Sequence, residues 1–174
     1  MRMFARSTAA LLAMTAGALL LAPSAHGTST LLSCAGQQTA SYSPAMTDEK
    51  QPLTATVAEH YNCAVAPDGI KGGDGAASFK EQASCLVTAD PGQRDVIRYT
   101  WNTRKTSTVE FTVTNVERAV NGTTIVTSVG KVTSGTGKGS KATRVVTLPQ
   151  LDAAACADRG VASQTGTATL TFAP

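Results

Sequence analysis

The chain has only two histidines, His26 and His60. That scarcity removes most of the proton-transfer chemistry that works near neutral pH. A Ser-His-Asp constellation needs an imidazole to carry a proton between a nucleophile and an orienting carboxylate. His60 alone stands away from the leader, and no Gly-x-Ser-x-Gly segment accompanies it. Aromatic residues are sparse as well, at 5%. Trp101, Tyr42, Tyr61 and Tyr99 give little material for a sugar-stacking platform, so the scattered acids are not read as a glycosidase pair. Cys-x-x-Cys is absent, and with it the usual spacing of a zinc site. Gly137-Lys138-Gly139-Ser140 fails as a phosphate loop, because Val132 stands where the first glycine belongs and Gly139 follows the lysine. Asp68 and Asp74, with Ile70 and Lys71 between them, offer too few oxygens for calcium. No catalytic residue, cofactor or metal ligand is expected.

Long apolar runs are absent too, with one exception. Arg2 and Arg6 precede an apolar stretch from Ala9 to Ala22, and the small-residue segment Pro23-Ser24-Ala25-His26-Gly27 follows. A charged front, a short hydrophobic middle and a small-residue exit make a secretory signal peptide, residues 1–27, with cleavage after Ala25 or Gly27. The run is short of the roughly 20 apolar residues that span a bilayer. Leu31-Leu32-Ser33-Cys34 resembles a lipobox only faintly, since a polar interruption separates it from the apolar run. A single domain, residues 28–174, is expected outside the cell, with no membrane attachment after cleavage. Its net charge falls from +3 to +1 as Arg2 and Arg6 leave, which argues against nucleic acid as a partner.

What the chain does have is Thr, Val, Ser and Gly in short alternating segments separated by turn residues, the pattern of an all-β domain. Strands are expected over about 29–43, 52–63, 78–88, 94–101, 106–120, 123–133, 142–148 and 164–172. Val109, Phe111 and Val113 face one way, but Val116 is out of phase, so a β-bulge is expected near Thr114 or Asn115. Asn121-Gly122 is a strong hairpin signal. The glycine-rich segments 67–77 and 135–140 are read as loops, and 151–157 as a helical turn. About eight strands and no long helix suggest an immunoglobulin-like, two-sheet antiparallel β-sandwich, with a closed barrel as the alternative.

All four cysteines, Cys34, Cys63, Cys85 and Cys156, follow the leader. An even number in an exported chain implies two disulfides. Three pairings are possible. A hairpin centred near Asp48 places Cys34 opposite Cys63, which favours Cys34–Cys63 and leaves Cys85–Cys156.

Acids are missing between Glu117 and Asp152, whereas Arg118, Lys131, Lys138, Lys141 and Arg144 fall in that stretch. These five are the candidate contact for an anionic cell-wall polymer. Solvated lysines that guard edge strands are the simpler explanation.

Tyr99-Thr100-Trp101-Asn102, Thr106-Ser107-Thr108-Val109, Thr133-Ser134-Gly135 and Gly166-Thr167-Ala168-Thr169-Leu170, together with Cys34 and Tyr42-Ser43-Pro44, occur in a telling order. In that order the chain resembles small secreted four-cysteine β-domain proteins of Streptomyces and related actinobacteria. The resemblance implies export and a β architecture, and it brings no activity or catalytic residues. The expected function is therefore non-enzymatic: binding or structural work at the cell exterior, with a wall polymer or an extracellular protein as partner. The alternative is a protease inhibitor that presents the basic turn from Asn102 to Lys105, a pre-organised loop being cheap to order on binding.

Overall fold

The computed structural model describes residues 30–87 and 89–174. The signal-peptide reading of residues 1–27 lies outside them. Eight antiparallel strands form one sheet: β1 Leu32–Met46, β2 Gln51–Val65, β3 Gly72–Ala83, β4 Arg94–Trp101, β5 Thr106–Arg118, β6 Thr124–Gly135, β7 Lys141–Leu148 and β8 Val161–Ala173. A short helix, α1 (Ala153–Ala157), lies between β7 and β8, and Asp152 caps it by accepting from the amides of Ala154 and Ala155.

The sandwich expectation is overturned. Each strand pairs with its sequence neighbours, and β1 pairs with β8 from Leu32↔Phe172 to Ser41↔Ser163, so the sheet closes into an up-and-down barrel. Alternation of apolar and polar residues is the same in a sandwich and a barrel, so periodicity alone could not separate them. Closure satisfies both outer strands and leaves no open sheet edge at β1 or β8. Small inward positions help the wall to curve. Gly36, Gly73, Gly75, Gly130 and Gly166 each have backbone or a ring where a Cβ would stand.

A second correction concerns residues 72–77, read as loop because of their glycines. They belong to β3, and Gly73↔Trp101 and Gly75↔Tyr99 are cross-strand pairs. A Cβ on either glycine would meet the facing ring at 2.6 Å. The glycines are there so that the Trp101 and Tyr99 rings can lie against the strand.

Other expectations are met. The β5–β6 register shifts between Val113 and Asn115, where the bulge was placed. Ala119 to Thr123 makes the turn, with Gly122 at φ 79°. Cys34 and Cys63 are register partners and are bonded, and Cys85 is bonded to Cys156. The linked residues are 29 and 71 apart in sequence. By loop-closure entropy the two bridges contribute at most about 3.6 and about 4.4 kcal/mol. They are consistent with an oxidising environment.

The barrel interior has two unlike halves. At the end that carries the β2–β3, β4–β5 and β6–β7 turns it is plugged. Tyr99 stacks on Trp101 with ring centroids 5.7 Å apart, and Phe172 meets Trp101 edge-on at 6.4 Å. Leu32, Val109, Val132, Ala142 and Leu170 are wholly buried around them. The Trp101 indole N–H donates to Ser107 Oγ at 2.9 Å, and that hydroxyl donates to the Thr136 carbonyl at 2.7 Å. The other half is not filled in this way.

Candidate functional site: a recess in the open half of the barrel

The floor of the open half is a buried polar cluster. Inward alternation along β2 brings Glu59 between Val57 and Tyr61, and along β7 it brings Arg144 between Ala142 and Val146. Arg144 Nε donates to Glu59 Oε1 at 2.5 Å, and its guanidinium also donates to Gln38 Oε1. The hydroxyls of Tyr61 and Tyr99 donate to the other carboxylate oxygen of Glu59 at 3.2 and 3.1 Å. Burial pulls the Arg144 pKa down, but Glu59, Tyr99 and Tyr61 together outweigh it and the net shift is upward, so Arg144 stays cationic. Burial also raises both tyrosines, with the nearby Glu59 adding to the effect, so they act only as neutral donors.

Above this floor lies a recess of about 50 Å³, large enough for a small group rather than a single water. Its walls are chiefly apolar, with Ala55, Val57, Phe79, Val126, Val146 and Leu148 among them. Ser128, wholly buried on the inner face of β6, is the register partner of both Val113 and Arg144, which line the recess. Its hydroxyl has no hydrogen-bond partner among the described residues.

The wall beside the recess is incomplete. β3 and β4 pair only from Gly73↔Trp101 to Ala76↔Arg98. Beyond that, Ala77–Ala83 and Arg94–Ile97 diverge and leave a seam. Phe79 and Glu81 line the recess from the β3 side, and Gln93 and Asp95 line it from the β4 side. Gln93 lines the recess with the two acids, and its amide donates to Asp95 Oδ1 at 3.3 Å. Burial pushes the Glu81 carboxyl up to about 7, against the lowering effect of Gln93, and Asp95 and Asp90 push it further up. Asp95 is raised too, by burial first, with Arg144 opposing.

The β3–β4 connection, 84–93, straps this end. The Cys85–Cys156 bridge ties it to α1, and the Cys85 amide donates to the Thr47 carbonyl at 2.8 Å. Lys50 pairs with Asp90 at 2.9 Å, and Arg118 donates to the Leu86 carbonyl at 3.1 Å.

The structure divides the five-residue basic group. Arg144 is inside the barrel and belongs to no surface patch. Arg118 ends β5 at the open end, beside the strap. Lys131 and Lys141 are register partners, with Lys138 in the turn that joins their strands. His60 faces outward and bonds Asp74 at 2.7 Å, far from any nucleophile arrangement. Asp68 pairs with Lys105 at 2.8 Å, so the two loop aspartates do not converge. The turn from Asn102 to Lys105 is tight, and Arg104 has a φ of 63°, unlike the extended backbone that a protease cleft grips. Among the described residues, the cluster with metal-ligating atom types is Asp48 with Cys85 and Cys156, whose sulfurs are joined to each other.

Sequence reasoning missed Glu59, Glu81, Asp95 and Arg144 as a group. Their signal was a charge on the apolar phase of an alternating strand, as in Leu53, Ala55, Val57, Glu59, Tyr61. Comparison with known protein families, characterised proteins and solved structures finds no match to any of them.

Proposed function

We propose that the chain is an exported, non-enzymatic binding protein that takes a small ligand into the open half of its barrel. The observation that carries this reading is the recess: a chiefly apolar-walled space beside an unpaired seam, above a floor of buried polar groups that hydrogen-bond one another. An eight-stranded barrel has an interior just wide enough to be filled by side chains or to hold one small molecule. In this barrel a second buried cluster, with Tyr42, Met46 and Leu53, packs the other half and leaves the recess beside it. Among the described residues the acids at the seam have no histidine or lysine beside them, which favours holding a ligand over reacting with it.

Replacing Ala55, which lines the recess and is 1% exposed, with leucine fills the space. In a fluorescence or calorimetric screen of small molecules, compounds that bind the native protein should lose at least tenfold in affinity to Ala55→Leu. Retention of full affinity by the filled variant would place binding elsewhere and refute the reading.

A further inference from the structure

We propose that the ligand of the recess is a small organic cation, an ammonium or guanidinium with an apolar body, whose charged head lies between Glu81 and Asp95. This rests on the recess being a ligand site, and it adds the chemical class. Three observations converge on it.

The first is charge accounting inside the barrel. Glu59, Glu81 and Asp95 bring three carboxyl groups to the interior lining, and Arg144 is the one base there among the described residues. Arg144 bonds Glu59 and Gln38 and borders the recess, so its single charge is shared chiefly with Glu59. Glu81 and Asp95 make no ion pair among the described residues. Gln93, which lines the recess with both acids, is uncharged and balances neither carboxylate. A buried carboxylate without a cation is costly, and a guest cation supplies what the protein leaves out.

The second is shape. The acids stand at the seam, and apolar side chains extend from them toward Val57, Val126 and Val146. A molecule with a charged end and an apolar body fits this sequence of surroundings.

The third is independent of the recess. The connections at the open end (47–50, 84–93, 119–123 and 149–160) carry Asp48, Glu49, Asp90, Asp152 and Asp158 against Lys50 and Arg159, with Glu117, Arg94 and Arg118 at the adjoining strand ends. Those at the plugged end (66–71, 102–105 and 136–140) carry Lys71, Arg104, Lys105 and Lys138 against Asp68. The mouth is thus the negative end of a polarised molecule, and it draws cations and repels anions.

The test compares n-butylammonium, n-butanol and pentanoate, which share a butyl body and differ in charge, by NMR titration of the mature protein. The native protein should bind the ammonium at least tenfold more tightly than the alcohol, and pentanoate most weakly. Glu81→Gln and Asp95→Asn, each checked for a native circular dichroism spectrum, should each bring ammonium and alcohol to within about threefold. If the alcohol binds the native protein as tightly as the ammonium, or if both acid variants keep the tenfold preference, the cation assignment is wrong. The recess reading then still stands, provided Ala55→Leu abolishes binding of either probe. If none of the three probes binds, or if the ammonium binds Ala55→Leu undiminished, both readings fall.

Discussion

The two halves of this barrel are built from the same strands and follow opposite rules. In the plugged half, inward positions hold Trp101, Tyr99, Phe172 and Leu170, and glycines on β3 make room for the rings. In the open half, the same inward phase holds Tyr42, Met46 and Leu53 in a second cluster, but also Ala40, Ala55 and Val57 beside carboxylates, and β3 and β4 part company. The larger cluster, with the aromatic rings, lies in the plugged half, and the smaller one shares its half with charged groups and a recess. Dense packing and internal space thus fall at different ends of one set of strands.

The sharpest way to break this comparison is at the boundary between the halves. Arg144→Met should cost about 3–5 kcal/mol in urea unfolding, because it strands the buried Glu59. The double variant Glu59→Gln/Arg144→Met should recover a large part of that loss. If the single variant costs under 1 kcal/mol, the polar floor does not separate the halves as described.

Matched truncations sharpen the contrast. Leu170→Ala, in the plugged half, should cost about 3–4 kcal/mol, since its surroundings cannot collapse. Leu148→Ala, beside an existing recess, should cost about 2 kcal/mol or less. Enlargement should reverse the order. Ala142→Leu overpacks a wholly buried site and should cost about 1–3 kcal/mol, whereas Ala55→Leu should stay within about 0.5 kcal/mol of native. Equal costs in either pair would dissolve the distinction.

The smallest expected effect is pH dependence. Burial raises Glu81 from 4.5 to about 7 in the folded chain, so between those values the native state binds more protons than the unfolded one. Stability is fully present below 4.5 and declines as pH rises toward 7, and Asp95 contributes in the same direction. Because Glu81 is partly exposed, screening holds the effect to about 1 kcal/mol. Chemical denaturation at pH 5 and pH 8 should therefore show a smaller decline in Glu81→Gln than in the native protein. Identical profiles would mean that the carboxyl is ordinary.

Much of the scaffold was legible from residues. Alternation located the strands, Asn121-Gly122 located a turn, the Val113–Val116 phase slip located a bulge, and a hairpin about Asp48 aligned Cys34 with Cys63. Closure was not legible, because contact between β1 and β8 depends on accumulated coil and tilt along the whole sheet, and no local residue states it. The role of Gly73 and Gly75 was hidden for a related reason: in isolation they promise a flexible loop, and only the rings of a later strand explain them. The site was visible in part. Glu59 and Arg144 sit on the apolar phase of their strands with opposite charges, a mark of burial and pairing. By contrast, Arg144 counted by sequence position alone joined a surface group to which it does not belong.

The seam between β3 and β4 also has a kinetic consequence. In an antiparallel sheet, successive residues direct their amides to opposite neighbours. Beyond Ala76, then, every second amide of β3 still bonds to β2 while the alternate ones look into the gap. Hydrogen–deuterium exchange along Ala77–Ala83 should therefore run in a two-residue beat, slow then fast, and a guest seated at Glu81 and Asp95 would slow the fast set.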